Sequence, residues 1–297
     1  MADTERFLIG ESFVRACLPA RPADSHKGTF GRVLAVCGRY GMAGAAMLSG
    51  EATLRSGAGL LTVALPRSIY PLVASRLPEA VYLPLPETAE GTLSKESWQP
   101  LKQELERTTA LLVGCGLGRS PESDAMVLAL LRAAPCPTVL DADGLNVAAA
   151  HIHTVKTSGQ PLCLTPHPGE ASRLLGCGIE EIEADRLGAA RELSAQWDAV
   201  VVLKGHRTVI AAPDRPTLIN PTGCSGMATG GSGDVLAGMI VSLAAQGLTL
   251  YEAALSAVYL HGLAGERASA RLSEHGMLPS DMLAELAHLF SEYEPKA

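Results

Sequence analysis

The segment Asn220-Pro-Thr-Gly-Cys-Ser-Gly-Met-Ala-Thr-Gly-Gly-Ser-Gly-Asp234 carries five glycines and runs straight into the apolar stretch 235–245. Glycine tolerates positive φ and has no Cβ, so successive backbone N–H groups can turn toward one point. Placed before a helix, such a loop adds the unsatisfied N–H groups of the first turn and the positive end of the helix dipole, which together make an anion site. The dipole contributes only about 0.3–1 kcal/mol, so several converging N–H groups must carry the binding. Asp234 is the informative residue, because a carboxylate beside a bound phosphate repels it. It makes sense as a base that takes a proton from a substrate hydroxyl while the backbone of Gly230, Gly231, Ser232 and Gly233 steadies a phosphoryl group in transfer. The plain alternative is an N-cap aspartate in a glycine-rich turn.

Four further groups of small, polar or charged residues each follow a short apolar run: Gly114-Cys-Gly-Leu-Gly118, Asp141-Ala-Asp143, Thr165-Pro-His-Pro-Gly-Glu170 and Lys204-Gly-His-Arg-Thr208. In open parallel sheets ligands sit beyond the carboxyl ends of the strands, so four such ends in series predict one shared cleft. Structural roles compete at several of these positions. Glu170 reads equally as a first-turn carboxylate, and Asp141 and Asp143 as a turn and a helix cap. Cys224 reads as a packed thiol, and His151-x-His153 as a turn, since no third ligand stands at useful spacing. Neither a GxxxxGK[ST] loop nor a GxGxxG fingerprint is present.

The elements that must position these residues are legible as apolar runs. Strands are predicted at 33–37, 60–65, 110–113, 138–140, 162–164, 199–203 and 208–211, apolar throughout as in strands covered on both faces. Helices are predicted at 43–56, 122–133, 168–175, 182–196, 234–245, 250–270 and 279–290. The alternation implies a three-layer α/β/α sandwich around a mainly parallel sheet. No linker, charge run or repeat divides the chain, so residues 1–297 are expected to form one domain, with 84–100 as a surface excursion. Basic residues number 24 against 31 acidic ones, a net charge of −7, which argues against nucleic acid or an anionic membrane as partner. Seven cysteines without CxxC spacing fit a reducing, cytoplasmic location instead of a disulfide framework. The acidic start of the chain is not a signal peptide, and no apolar run reaches the ~18 residues of a membrane span.

Gly230-Gly-Ser-Gly-Asp234 resembles the GxGD signature of the ribokinase-like superfamily. With His26–Gly31, Met42–Met47, Leu140–Asn146, Leu164–Glu170 and Leu203–Thr208 in order, the chain over residues 20–290 resembles the ADP/ATP-dependent NAD(P)H-hydrate dehydratases. The resemblance implies repair of the S form of NADH or NADPH hydrated at C6 of the nicotinamide ring. The hydroxyl would be phosphorylated by ADP or ATP and then eliminated as phosphate, with Asp234 as the base. It further implies contacts to the hydrated cofactor from Ala45, Gly116, His167 and Asp234. Nucleotide contacts would come from Lys204, Gly205, His206, Arg207, Thr208 and Gly233, with Mg²⁺ as phosphate partner and Glu170 and Asp141 as candidate ligands. A homotetramer is implied, and a separate protein for epimerisation, since the resemblance leaves no room for a fused epimerase domain. Cys37, Cys115 and Cys224 depart from the family pattern, which bears on kinetics and nucleotide preference more than on reaction class. Two other functions are weighed. A small-molecule hydroxyl kinase of the same superfamily would use the same Asp234 machinery, and a nucleotide-sensing module would gain nothing from Asp234.

Overall fold

The computed structural model describes residues 7–151 and 159–295, so His153 lies outside the described residues. Nine strands form one sheet: β1 (Arg32–Val36), β2 (Leu60–Pro66), β3 (Val81–Leu85), β4 (Ala110–Val113), β5 (Thr138–Leu140), β6 (Leu162–Leu164), β7 (Val200–Leu203), β8 (Val209–Ala211) and β9 (Leu218–Ile219). Their spatial order is β3-β2-β1-β4-β5-β6-β7-β8-β9. All pairs from β3 to β7 are parallel, and β8 and β9 close that edge in antiparallel pairing.

The period-2 alternation of a strand divides the sheet residues between two cores. Val33 and Ala35 face one layer, with Leu61, Val63, Leu112 and Val139, packed under helices Ala43–Arg55, Ser232–Ala245, Leu250–Leu272 and Pro279–Tyr293. Leu34 and Val36 face the other, with Leu111, Val113 and Leu140, under Trp98–Leu105, Pro121–Ala133, Pro168–Leu175 and Arg186–Trp197. Burial on both faces explains why the strands are apolar without alternation in the sequence. The three layers are those predicted.

The departures have local causes. β3 contains Pro84, which a strand tolerates only at an edge or bulge, and β3 is the edge strand. β9 has two residues and no periodicity to read. The stretch 84–100 is not a surface excursion throughout, because Thr92, Leu93, Ser94 and Ser97 are buried. The predicted helix 182–196 is two helices, Ile179–Ala184 and Arg186–Trp197. They break at Asp185, whose carboxylate accepts the Gly188 N–H at 2.8 Å.

One topological feature places the site. β1 lies between β2 and β4, so the chain leaves β1 on one side and returns on the other. The crevice outside the carboxyl ends of these strands is the ligand position in open α/β sheets.

Candidate active site

The glycine loop is fastened from below by the long helix Leu250–Leu272. Asn220 donates its amide to the Val258 carbonyl at 3.2 Å, Thr222 donates its hydroxyl to the Tyr259 carbonyl at 2.9 Å, and Glu266 accepts the Gly223 N–H at 2.7 Å. His261, buried in the same helix, donates Nε2–H to the Ser232 carbonyl at 3.0 Å. Burial pushes its pKa down to about 4, so the ring is a neutral strut near neutral pH. Gly231 is the N-cap with φ +101°, and a Cβ there would sit 2.6 Å from Leu48 Cδ1. The loop thus needs glycine both for its dihedral and for its fit. The N–H groups of Gly230, Gly231, Gly233 and Asp234 have no hydrogen-bond partner among the described residues. Four free donors at a helix N-terminus are a geometry that could hold an anion.

Asp234 stands in the first turn of helix Ser232–Ala245. Burial first, and the Asp141 carboxylate second, push its pKa up to about 7, against smaller opposing effects of the Cys115 thiol and Lys204. Ligand atoms of Cys115, Asp141 and Asp234 all lie within 4.8 Å of one another. Asp141 is itself held differently. Its carboxylate accepts from Lys204 Nζ at 2.7 Å, from Thr165 Oγ1 at 2.7 Å and from the Cys115 thiol at 3.6 Å. Burial would raise its pKa, but Lys204 and these donors outweigh it and the net shift is downward. Burial likewise works against the Lys204 charge, and Asp141 and Glu170 outweigh it, so the ammonium is retained. Two neighbouring carboxyl groups therefore have their proton affinities driven apart, one fixed as an anion and one poised near neutrality. That pattern marks acid–base sites.

Of the residues expected to touch the hydrated cofactor, two lie against each other. Ala45 and Gly116 are in contact: Gly116 has φ +60°, and a Cβ there would be 2.6 Å from Ala45 Cβ. Between Asp141 and Asp143, Ala142 adopts φ 47° and ψ −114°, a strained conformation for a residue with a Cβ. A Cβ on Gly114 would lie 2.0 Å from the Asp141 carbonyl, so strands β4 and β5 end in close backbone contact. His167 follows β6 and caps helix Pro168–Leu175, Nδ1 accepting the Gly169 N–H at 3.0 Å while its side chain stays half exposed. Glu170 completes the capping box by accepting the His167 N–H at 2.8 Å and also faces Lys204 Nζ at 3.8 Å. Glu170 is thus the first-turn carboxylate of its helix and also lies beside the buried lysine.

Lys204 is drawn inward, and a Cβ on Gly233 would be 3.3 Å from its Nζ. Gly205, His206 and Arg207 form the exposed turn between β7 and β8, and Arg207 is left-handed at φ 56°. Thr208 joins this turn to the glycine loop, its carbonyl accepting the Asn220 N–H at 2.8 Å. His261 escaped sequence reasoning, and a polar residue inside the apolar helix 250–272 was the available signal. Thr165 was singled out only as part of the group that follows its strand, with no role of its own.

For a divalent cation the donor set is incomplete. Lys204 already pairs with Asp141 and faces Glu170, and the Cys115 thiol is too soft a donor for Mg²⁺. The described residues do not form a cage for the ion, so at this site Mg²⁺ fits as an ion carried by phosphates and water. A cavity of about 250 Å³ lined by Leu18, Arg21, Arg55, Ser56 and Gln246 lies at the other end of helix Ser232–Ala245, away from this constellation.

A doubly faced parallel sheet with a GxGD loop at its carboxyl edge defines an α/β enzyme of the ribokinase-like class. The profile of the NAD(P)H-hydrate dehydratase family matches residues 33–288, and the chain belongs to that family. It is 44% identical over 289 residues to the bifunctional NAD(P)H-hydrate repair enzyme of Moorella thermoacetica, covering 97% of this chain and 54% of that one. It is 38% identical to the ADP-dependent (S)-NAD(P)H-hydrate dehydratase of Bacillus subtilis, over 96% of this chain and 98% of that one. The chain spans about half the length of the bifunctional relatives. The crystal structure of the ADP/ATP-dependent B. subtilis dehydratase, co-crystallised with ATP and Mg²⁺, superposes with a TM-score of 0.82 at 36% identity, covering 97% of this chain and 98% of that one.

Proposed function

We propose that this chain is a hydro-lyase that returns NADH or NADPH hydrated at C6 to the reduced cofactor, using ADP or ATP as phosphoryl donor. The observation that carries the proposal is Asp234, with its proton affinity near neutrality, set beside four unpartnered N–H groups. The Asp234 carboxylate takes the proton of the C6 hydroxyl as its oxygen attacks the terminal phosphorus of the nucleotide. AMP leaves from ADP, or ADP from ATP. The Gly230–Gly233 backbone holds the phosphoryl oxygens where negative charge grows, which is worth more in a water-poor site than in water. Hydroxide is a poor leaving group and phosphate a good one. The ring-nitrogen electron pair then expels phosphate from C6, a proton leaves C5, and the C5–C6 double bond is restored. The products are NADH or NADPH, inorganic phosphate and the shortened nucleotide.

In this reading Ala45, Gly116 and His167 line the site of the hydrated ring. Lys204, Gly205, His206, Arg207, Thr208 and Gly233 receive the nucleotide. Mg²⁺ supplies charge neutralisation on the nucleotide phosphates when bound. Assembly as a homotetramer, a cytoplasmic location and supply of the S epimer by a separate epimerase belong to the same proposal; light scattering tests the first. The central test is recovery of the near-ultraviolet absorbance of reduced nicotinamide from hydrated NADH, with Mg²⁺ and ADP or ATP in parallel. A nucleotide-dependent rise that is lost in Asp234→Asn is expected. A flat trace from folded, nucleotide-binding protein would overturn the reading and point to a kinase of small alcohols.

A further inference from the structure

Arg39 stands at the carboxyl end of β1, on the rim of the crevice between β1 and β4. Its side chain lies across the Gly114–Gly118 loop: a Cβ on Gly118 would sit 2.2 Å from Arg39 Cδ and 2.6 Å from Nε. Gly118, at φ +74°, is thus a glycine for its dihedral and for the passage of this arginine. Among the described residues the guanidinium makes one hydrogen bond, from NH1 to the Tyr40 carbonyl at 3.0 Å. No carboxylate among the described residues comes within ion-pair distance of it, which leaves most of its five donors uncommitted. Other arginines of the chain are engaged. Arg119 is locked to Asp124 by bonds of 2.7 and 2.6 Å, and Arg173 donates to Asn146 at 2.9 Å. Asp143, at the start of the helix after β5, accepts the Gly118 N–H at 2.8 Å. An uncompensated, partly buried arginine in a chain of net charge −7 is a recognition group for an anion.

The loop sets its distance from the chemistry. Cys115 touches the carboxylates of Asp141 and Asp234, and Gly118, three residues on, touches Arg39. Three residues span at most roughly 10 Å, so the loop keeps the two contacts close enough for a phosphate one ribose away from a nicotinamide ring held at Asp234 to fall within that limit. We propose that Arg39 binds the pyrophosphate of the hydrated dinucleotide and sets the enzyme's affinity for that substrate, not for the phosphoryl donor. This rests on the dehydratase reading for the identity of the dinucleotide.

The test compares wild-type, Arg39→Ala and Arg39→Lys enzymes on hydrated NADH and hydrated NADPH. Arg39→Ala is expected to raise KM for both by a similar factor, roughly ten- to a hundredfold. The KM for ADP or ATP should be unchanged, kcat nearly so, and Arg39→Lys should recover part of the loss. An effect confined to hydrated NADPH would assign Arg39 to the 2′-phosphate and overturn the proposal, as would an unchanged KM for both. Binding of NADH, followed by its fluorescence, is measured on the same proteins without turnover. If the wild type proves inactive yet binds NADH and Arg39→Ala binds it at least tenfold more weakly, the dehydratase reading falls and the pyrophosphate site stands. If the wild type does not bind NADH, the pyrophosphate site falls.

Discussion

Asp141 is buried and Asp234 partly buried on a neighbouring element, and their surroundings give them opposite tasks. Asp141 meets Lys204 and two neutral donors, so it remains an anion; Asp234 meets mainly desolvation and a like charge. The base form of Asp234 is populated above about pH 7, so kcat/KM should fall about tenfold per unit below that pH. A profile flat from pH 5 to 8 would remove Asp234 from the base role. The same shift has a stability consequence of opposite sign. Because the folded state binds the Asp234 proton more tightly than the unfolded chain, this group lowers stability as pH rises from about 4 through 7. Asp234→Asn should therefore abolish turnover yet raise the melting temperature at pH 8, by a stability on the order of 1–3 kcal/mol that shrinks at pH 4. Lys204 is the counter-case. Lys204→Met leaves the Asp141 charge buried and unpaired, and should cost roughly 3–5 kcal/mol in denaturant unfolding. Losses below about 1 kcal/mol would show that water reaches Asp141.

At the scale of elements, the crossing of helices Ala43–Arg55 and Ser232–Ala245 brings the wall carrying Ala45 to the helix carrying Asp234. The contact is close because Gly238 has no side chain: a Cβ there would lie 2.2 Å from the Ser49 carbonyl and 2.9 Å from Ala52 Cβ. Thr53 adds a bond from its hydroxyl to the Gly238 carbonyl at 3.3 Å. Gly238→Ala improves helix propensity by about 1 kcal/mol in isolation, so only the crossing can make it harmful. Overpacking costs typically 1–3 kcal/mol, and backbone, not a flexible side chain, is what must move here. Net destabilisation with a raised KM for the hydrated substrate is expected from thermal unfolding and kinetics. A stabilised Gly238→Ala protein would show that the two helices separate freely. The glycine loop is likewise an element-scale construction, since its shape depends on helix Leu250–Leu272 reaching it through Glu266 and His261.

At the scale of the whole molecule, the sheet separates two cores, and both faces of every central strand are covered. All seven cysteines are free; Cys37, Cys115, Cys136 and Cys163 are buried, while Cys17, Cys177 and Cys224 are partly exposed. Burial also raises the pKa of the Cys136 thiol to about 11, and of Cys163 further. Thiol alkylation of the native protein, read by mass, should modify at most those three partly exposed residues, and all seven in denaturant. Modification of Cys115 in the native state would mean that the floor of the site opens.

The sequence by itself determined the layers and the chemistry-bearing loops. Its apolar runs are long enough to show strands buried on both faces, and the glycine run before Asp234 has few uses other than gathering N–H groups. Family membership was legible for the same reason, because the residues that carry the resemblance occupy short contiguous blocks. Three things were decided only by tertiary structure. The edge strands β3 and β9 take their pairing from neighbours, not from any pattern of their own. The ion pair of Lys204 with Asp141 joins residues 63 positions apart, and no local spacing encodes which lysine meets which acid. The raised proton affinity of Asp234 arises from burial and from the charge of Asp141 across the cleft. Desolvation and Coulomb interaction depend on distance in space, and that distance exists only after β4, β5, β7 and helix Ser232–Ala245 have packed together.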